Sequence, residues 1–412
     1  MQKISNKKFI YDGKKELEIY IHIPFCIRKC NYCDFLSAPA DEKSRFVYIK
    51  ALENEMAVKA SACRDEYIVT SVFVGGGTPT VLDGDVLADL LTCIKRCFIV
   101  AETAEITFEC NPGTADYEKL RKCKEAGYNR ISIGLQSAID DELMKLGRIH
   151  DYSAFVKTYE NAVKCGFDNI NVDLMSAIPG QSLQSLNESI SRILALKPRP
   201  THISSYSLIL EEDTVFWKMN EEGNLELPDE DTERAMHWHV IDRLEKEGYL
   251  EYELSNLSLP GYECRHNVGY WIRKEYLGFG IGAASLFEGR RQTNTRDISE
   301  YVNFYVDIDC TDDWYANKGN VSREKYEPPL SEDVELTRED EIGEFMFLGL
   351  RMCKGIEFND FKALFDADIS DIYGEIIDKN VEDGLLEKTA DSISLTRRGQ
   401  DLANFVFSQF IL

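Results

Sequence analysis

Three cysteines, Cys26, Cys30 and Cys33, share one short loop at the spacing Cys-x3-Cys-x2-Cys, within the run His22-Ile-Pro-Phe-Cys26-Ile-Arg-Lys-Cys30-Asn-Tyr-Cys33-Asp-Phe35. Thiolates gathered this closely are candidate metal ligands. A structural zinc site closes with about four ligands, and no fourth Cys or His follows at a usual spacing, although His22 is near enough to compete. An iron–sulfur cubane has about four irons, so three cysteines leave one iron open to a small molecule. The spacing therefore points to an iron–sulfur cluster with an open position, ahead of zinc and of three unrelated thiols.

Other residues have chemistry that depends on where the chain places them. The run Val74-Gly75-Gly76-Gly77-Thr78-Pro79-Thr80 exposes bare backbone, and glycine there allows positive φ and close contact between N–H or C=O groups and a charged ligand. Alone, such a turn is as readily structural. Glu109, Gln136, Arg148 and Asp173 stand at or beyond the ends of predicted strands; singly, each reads as a cap or a solvated loop residue. His266 lies in Cys264-Arg265-His266-Asn267-Val268-Gly269-Tyr270-Trp271. On composition alone it is a packed, hydrogen-bonded imidazole. Exposed beside flat aromatic rings, it would also suit a haem as axial ligand and stacking surface, with Cys264 a rival ligand.

The elements that must position these groups are legible from periodicity. Between Leu17 and Ser207, short β-branched runs alternate with amphipathic stretches, the pattern of repeated βα units and a parallel sheet. Strands are predicted at Glu16–Ile23, Ile68–Val74, Glu105–Glu109, Arg130–Ile133, Asn169–Leu174 and His202–Leu208. Helices are predicted at Arg45–Ala62, Val86–Phe98, Tyr117–Ala126, Ser153–Cys165 and Leu183–Leu196, with Gly127 and Gly166 as left-handed caps. The expected fold class is α/β, a partial (β/α)6 barrel working at the carboxyl ends of its strands. The expected divisions are a core at 14–210, an extension at 211–330 with a helix at Thr232–Glu247, and a winged-helix-like α+β unit at 331–412. In the last, Thr337 and Asp340 form a capping box opening the helix Arg338–Met352. Helices Asn359–Phe365 and Ile369–Asn380, strands near Leu385–Lys388 and Ser392–Leu395, and a final helix from Thr396 follow.

Composition bounds the function. Across 412 residues, 44% are hydrophobic and 29% charged, with only 11 Pro, which is ordinary globular composition and excludes fibrous and disordered classes. With 47 Lys+Arg against 72 Asp+Glu, the net charge of −25 argues against broad binding to nucleic acid or anionic lipid. It also favours packing of the winged-helix-like unit on the barrel over DNA binding. No apolar run has signal-peptide or membrane-span length, so a cytoplasmic protein without an integral membrane segment is expected. The 12 cysteines are then free thiols or ligands; scattered ones such as Cys93, Cys97 and Cys165 read as small buried hydrophobes.

On the cysteine loop after the first strand, the chain resembles the radical S-adenosylmethionine (SAM) superfamily, whose partial (β/α)6 barrel carries this motif. The resemblance implies a [4Fe–4S] cluster on Cys26, Cys30 and Cys33, with SAM chelated at the open iron and cleaved by an electron to a 5′-deoxyadenosyl radical. Within the superfamily the chain is similar to the coproporphyrinogen-oxidase branch. That similarity places Tyr20, Tyr32, Gly76, Gly77, Thr78, Glu109, Gln136, Arg148, Asp173 and Ala284 on SAM-contacting positions, with Arg148 suited to clamp a carboxylate.

Two marks narrow the branch. The string His266-Asn-x-x-Tyr-Trp271 resembles that of radical-SAM haem chaperones of the HemW type, which implies haem contact at His266 and acceptor haemoproteins, respiratory ones among them, as partners. The oxidases carry a further Cys two residues after the third ligand, and here that position is Phe35. The runs Tyr276–Ser285 and Glu344–Arg351 also look like this branch, and the first would close the SAM pocket. The alternative the resemblance leaves is oxygen-independent coproporphyrinogen III oxidation. A homodimer is compatible with the sequence. Cys30→Ala is expected to abolish the visible absorption of the reconstituted cluster; full iron and sulfide content in that variant would refute the ligand assignment.

Overall fold

The computed structural model describes residues 9–61, 63, 65–308 and 327–411. Residues 1–8, Ala62 at the end of one predicted helix, and Cys310 lie outside the described residues. After a short hairpin strand β1 (Ile10–Tyr11), six parallel strands run in sequence order: β2 (Lys14–Ile23), β3 (Tyr67–Gly76), β4 (Val100–Cys110), β5 (Arg130–Gln136), β6 (Asn169–Ser176) and β7 (His202–Ser207). Each predicted strand is present, lengthened by a few residues or, at β7, shortened by one. The helices between them, Glu42–Ala60, Gly84–Cys97, Tyr117–Ala126, Tyr152–Lys164 and Leu183–Leu194, bury their apolar faces against the outside of the sheet. They begin and end by ordinary capping chemistry. Asp116 accepts from the Lys119 N–H, Ser182 and Ser185 form a capping box, and Gly127 closes its helix at φ 116° as the left-handed cap expected of it.

A short helix, Asp140–Lys145, follows β5 and precedes Arg148, outside the helix ranges expected from periodicity. It holds one turn's worth of pattern, too little for a period of about 3.6 residues to show.

The segment after β7 returns to the barrel sheet. β8 (Leu250–Glu253) and β9 (Asn256–Ser258) form a hairpin that pairs antiparallel with β7. β10 (Tyr276–Phe279) crosses to the opposite edge and pairs parallel with β2; β11 (Ala284–Phe287), β12 (Arg290–Asn294) and β13 (Leu330–Glu335) continue outward antiparallel. The region that read as a decay of alternation thus extends the sheet at both ends. Strands of three to six residues carry too little alternation to be recognised locally.

The C-terminal unit has its own apolar core, built on Met346, Phe361, Tyr373, Ile393 and Phe410. The predicted capping box is formed, with the Asp340 N–H donating to Thr337 Oγ1 at 3.1 Å and the Thr337 N–H to Asp340 Oδ2 at 2.8 Å. Helices Arg338–Gly349, Phe358–Phe365 and Ile369–Glu382 pack with a three-stranded sheet of β14 (Ile356–Glu357, between the first two helices), β15 (Leu386–Lys388) and β16 (Ser392–Leu395), in the order β14-β16-β15. Two short helices, Arg397–Asp401 and Ala403–Ser408, end the unit in place of one. It rests on the barrel side through polar contacts: Glu344 joins Arg273 (3.0 Å) and Arg291 (2.7 Å), and the Trp238 indole N–H donates to Asp401 (2.9 Å).

Candidate functional site

The parallel strands are covered by helices on one face and enclose a cavity with the other, so alternate residues point inward. Those inward positions are unusually polar: Thr107 and Glu109 on β4, Ser132, Gly134 and Gln136 on β5, Asn171 and Asp173 on β6, and Ser204 and Tyr206 on β7. Together with the cysteine loop, most of them line a cavity of about 600 Å³ at the carboxyl ends of the strands.

Cys26, Cys30 and Cys33 all edge that cavity. Cys26 Sγ lies 3.5 Å from the Thr78 hydroxyl, and Cys30 Sγ accepts from Arg148 Nη1 at 3.7 Å. Burial pushes the Cys33 thiol up to about 11. Among the described residues, no group of three or more His, Cys, Asp or Glu side chains is drawn together tightly enough for a single metal ion. The donor set, three thiolates facing an open cavity, fits a cubane with one free iron.

The glycine run abuts the cysteine loop. A Cβ on Gly77 would sit 2.7 Å from the Phe25 carbonyl and 2.9 Å from Cys26 Sγ; one on Gly76, at φ 113°, would strike the His22 ring at 2.7 Å. These positions require glycine because two backbones meet there. The Gly76 N–H donates to Glu109 Oε2 (3.1 Å) and the Asn111 amide to the Thr78 hydroxyl (2.7 Å), which ties β3 and β4 at the cavity mouth.

Deeper in, burial and the nearby Asp173 push Glu109 up to about 8. Asp173 is also raised by burial, opposed by the Asn171 amide that donates to it at 2.7 Å. Gln136 ends β5 at φ 70°, a left-handed conformation costly for a residue with a side chain, and accepts from the Tyr206 hydroxyl at 2.7 Å. Burial raises both Tyr20 and Tyr32; Tyr20 bonds His22 Nδ1 at 3.1 Å.

Of the residues expected on SAM-contacting positions, Tyr20, Tyr32, Gly76, Gly77, Thr78, Glu109, Gln136, Arg148 and Asp173 line this one cavity. Ala284 does not: it lies in β11, in a neighbouring groove that Tyr20 also borders. Arg148 is less free than its sequence suggested. Nη2 donates to Asn111 Oδ1 and to the Gly134 carbonyl, both at 2.7 Å, so the guanidinium braces strand ends to the cysteine loop.

The structure places His266 in the packed arrangement, not the exposed one that would suit a haem ligand. His266 is 1% exposed, with Nδ1 bonded to Ser71 Oγ and Nε2 to the Tyr270 hydroxyl, each at 2.9 Å, and its ring stacked on Phe73. Burial, with Arg130 and Lys274 adding positive charge, lowers it to about 3, so the ring is neutral. The same motif's Gly269 is required by Glu18: a Cβ there would fall 2.1 Å from both carboxylate oxygens, which are buried with no hydrogen-bond partner among the described residues. Sequence reasoning passed over Glu18, Asn111, Arg130, Ser132, Asn171, Ser204 and Tyr206. Their signal was polar residues at every second position of otherwise apolar strands.

The barrel, the cysteine loop and the cavity at its strand ends are those of a radical SAM protein. Residues 20–193 match the Radical SAM superfamily and residues 336–402 the HemN C-terminal domain. The fold is also that of a solved Escherichia coli structure titled coproporphyrinogen III oxidase (HemN), with a TM-score of 0.80 at 20% identity over 97% of this chain and 91% of that one. The chain is 36% identical over 398 residues to a Bacillus subtilis protein named "Heme chaperone HemW", covering 95% of this chain and 98% of the relative. It is 34% identical to the Lactococcus lactis protein of that name (97% and 98% covered) and 31% to that of Escherichia coli (96% and 98%). It belongs to the HemW family.

Two outcomes are expected. Gly77→Ala should displace the cysteine loop and cut the iron content of reconstituted protein by at least about half; unchanged iron and sulfide would show that the loop has room to yield. Glu109, raised in the folded protein above its unfolded value, favours folding most below about pH 4.5 and loses that contribution as pH rises towards 8. Glu109→Gln should therefore gain stability over the parent between about pH 5 and 8 in SAM-free protein, by urea unfolding, with the gain growing as pH rises.

Proposed function

We propose that the chain holds a [4Fe–4S] cluster on Cys26, Cys30 and Cys33, binds SAM in the cavity they edge, and delivers haem to acceptor haemoproteins, respiratory ones among them, in the cytoplasm. The observation that carries the cofactor half is the single cavity shared by the three cysteines and the residues from Tyr20 to Asp173. The name of the relatives that match nearly the whole chain supports the haem half. No described helix is long and apolar enough to cross a membrane.

A cluster held there supplies an electron and an open iron for the amino-acid end of SAM. The chain does the rest. Gly76 and Gly77 seat the cysteine loop at the cavity edge, Thr78 offers a hydroxyl, and Glu109 and Asp173 offer acceptors for the ligand's hydroxyl and ammonium groups. A cationic ligand beside this carboxylate pair favours its ionised form. Arg148 holds the cysteine loop and the ends of β4 and β5 in one arrangement. With both ring nitrogens engaged, His266 serves haem by fixing the Tyr270 hydroxyl rather than by reaching iron.

Phe35 weighs against the oxidase alternative, and a direct assay decides. Cluster-reconstituted protein is incubated anaerobically with SAM, a reductant and coproporphyrinogen III, and separately loaded with haem and mixed with an apo b-type haemoprotein. The expected result is haem transfer without decarboxylated porphyrinogens by mass spectrometry. Repeated formation of protoporphyrinogen with 5′-deoxyadenosine would make the protein an oxidase instead.

A further inference from the structure

Beside the SAM cavity lies a second one of about 570 Å³, within the range of small-molecule sites. The two share only Tyr20, Asp34, Phe35 and Tyr270, and none of the cysteines reaches the second. It opens between the β10–β12 edge of the sheet and the helix Arg338–Gly349, so both the barrel and the C-terminal unit build it.

Its walls have the character of a seat for a flat, apolar, doubly anionic ligand. Phe35, Trp271, Tyr276 and Phe347 present aromatic surface. Phe35 is 64% exposed, a large apolar ring uncovered at the rim where the two cavities meet. Arg291 and Arg296 supply positive charge on one side. Arg291 is fixed by Glu344 (2.7 Å) and the Tyr276 hydroxyl (3.1 Å); Arg296 is exposed, and among the described residues it makes no ion pair. Of the carboxylates that face the groove, Glu344 is neutralised by both Arg273 and Arg291, which leaves Asp34.

We propose that this groove is where the chain seats haem, the macrocycle lying against Phe35, Trp271 and Phe347 with its propionates towards Arg296 and Arg291. The inference rests on the haem reading given above and adds a location to it. It separates cargo from cofactor: haem occupies its own groove, touching the SAM cavity through the shared wall of Tyr20 and Tyr270. It also gives Phe35 a positive role, since an aromatic ring there faces both cavities. Because Phe347 and Glu344 belong to the C-terminal unit, bound haem bridges that unit to the barrel.

The test is a visible-absorption titration of the full-length, cluster-loaded protein with haem, and with haem dimethyl ester, in the parent and in Arg296→Ala and Phe347→Ala. Neither side chain lines the SAM cavity. Each variant is expected to bind haem about tenfold more weakly, with iron content and SAM affinity unchanged. The ester should bind the parent about as weakly as haem binds Arg296→Ala, and should not distinguish the two proteins. Arg296 is exposed, so its removal leaves folding intact even if Phe347→Ala does not fold. Tight haem binding by the parent that both variants and the ester retain within about twofold would place haem elsewhere and overturn this seat, with the chaperone reading intact. Failure of the parent to bind haem would overturn both.

Discussion

The mouth of the barrel depends on the contact between two stretches of backbone, the Gly75–Gly77 run leaving β3 and the cysteine loop leaving β2. The Gly77 N–H donates to the Ile23 carbonyl at 2.9 Å, and the space that a side chain would take is filled by Phe25, Cys26 and His22. This approach sets where the three thiols stand relative to the strand ends. Everything that lines the cavity is registered against it: Glu109 through the Gly76 N–H, Asn111 through Thr78, and Arg148 through Asn111 and Cys30. A chain of short polar contacts thus carries the position of one loop across several strands.

The second constraint is the polarity of the barrel interior. A parallel sheet is ordinarily apolar on both faces, yet here acids, amides and an arginine fill inward positions from β2 to β7. Buried groups of this kind are tolerated when they bond each other. The set Asn171, His202, Ser204 and Asp173 does so, with the His202 ring bonded to Asn171 at 2.6 Å and to Tyr252 at 2.8 Å. Glu18 does not: its carboxyl oxygens lie buried against Gly269 with no hydrogen-bond partner among the described residues, and burial pushes the group well above the usual carboxylate range. The His-Asn-x-x-Tyr-Trp segment is therefore part of the barrel's floor, packed onto Phe73 and Glu18; its Tyr270 borders both cavities and its Trp271 lines the second.

The segment between the barrel and the C-terminal unit shows what folding adds to local pattern. Its strands are short, and they gain stability by pairing with the exposed edges of an existing sheet. β9 covers β7 and β10 covers β2, which removes both open edges of the six-stranded core. The same pairing places β11 and β12 beside the helix Arg338–Gly349, and so creates the second groove.

The sequence alone determined the six βα units, their left-handed caps at Gly127 and Gly166, the capping box at Thr337 and the identity of the cysteine and glycine loops, because each is written within a few consecutive residues as period, cap chemistry or spacing. Tertiary structure alone decided the rest. That Ser132, Asn171 and Tyr206 face one cavity with Glu109, that Arg148 is engaged by Asn111 and Gly134, that Ala284 stands in the adjoining groove, and that His266 is buried between Ser71 and Tyr270 all depend on which strand lies beside which. Polar alternation marks two faces of a strand but not which one is enclosed, and a ring's exposure is set by residues nearly two hundred positions away in the chain, as His266 and Ser71 are. Pairing between distant segments is a property of the closed sheet, and no local window contains it.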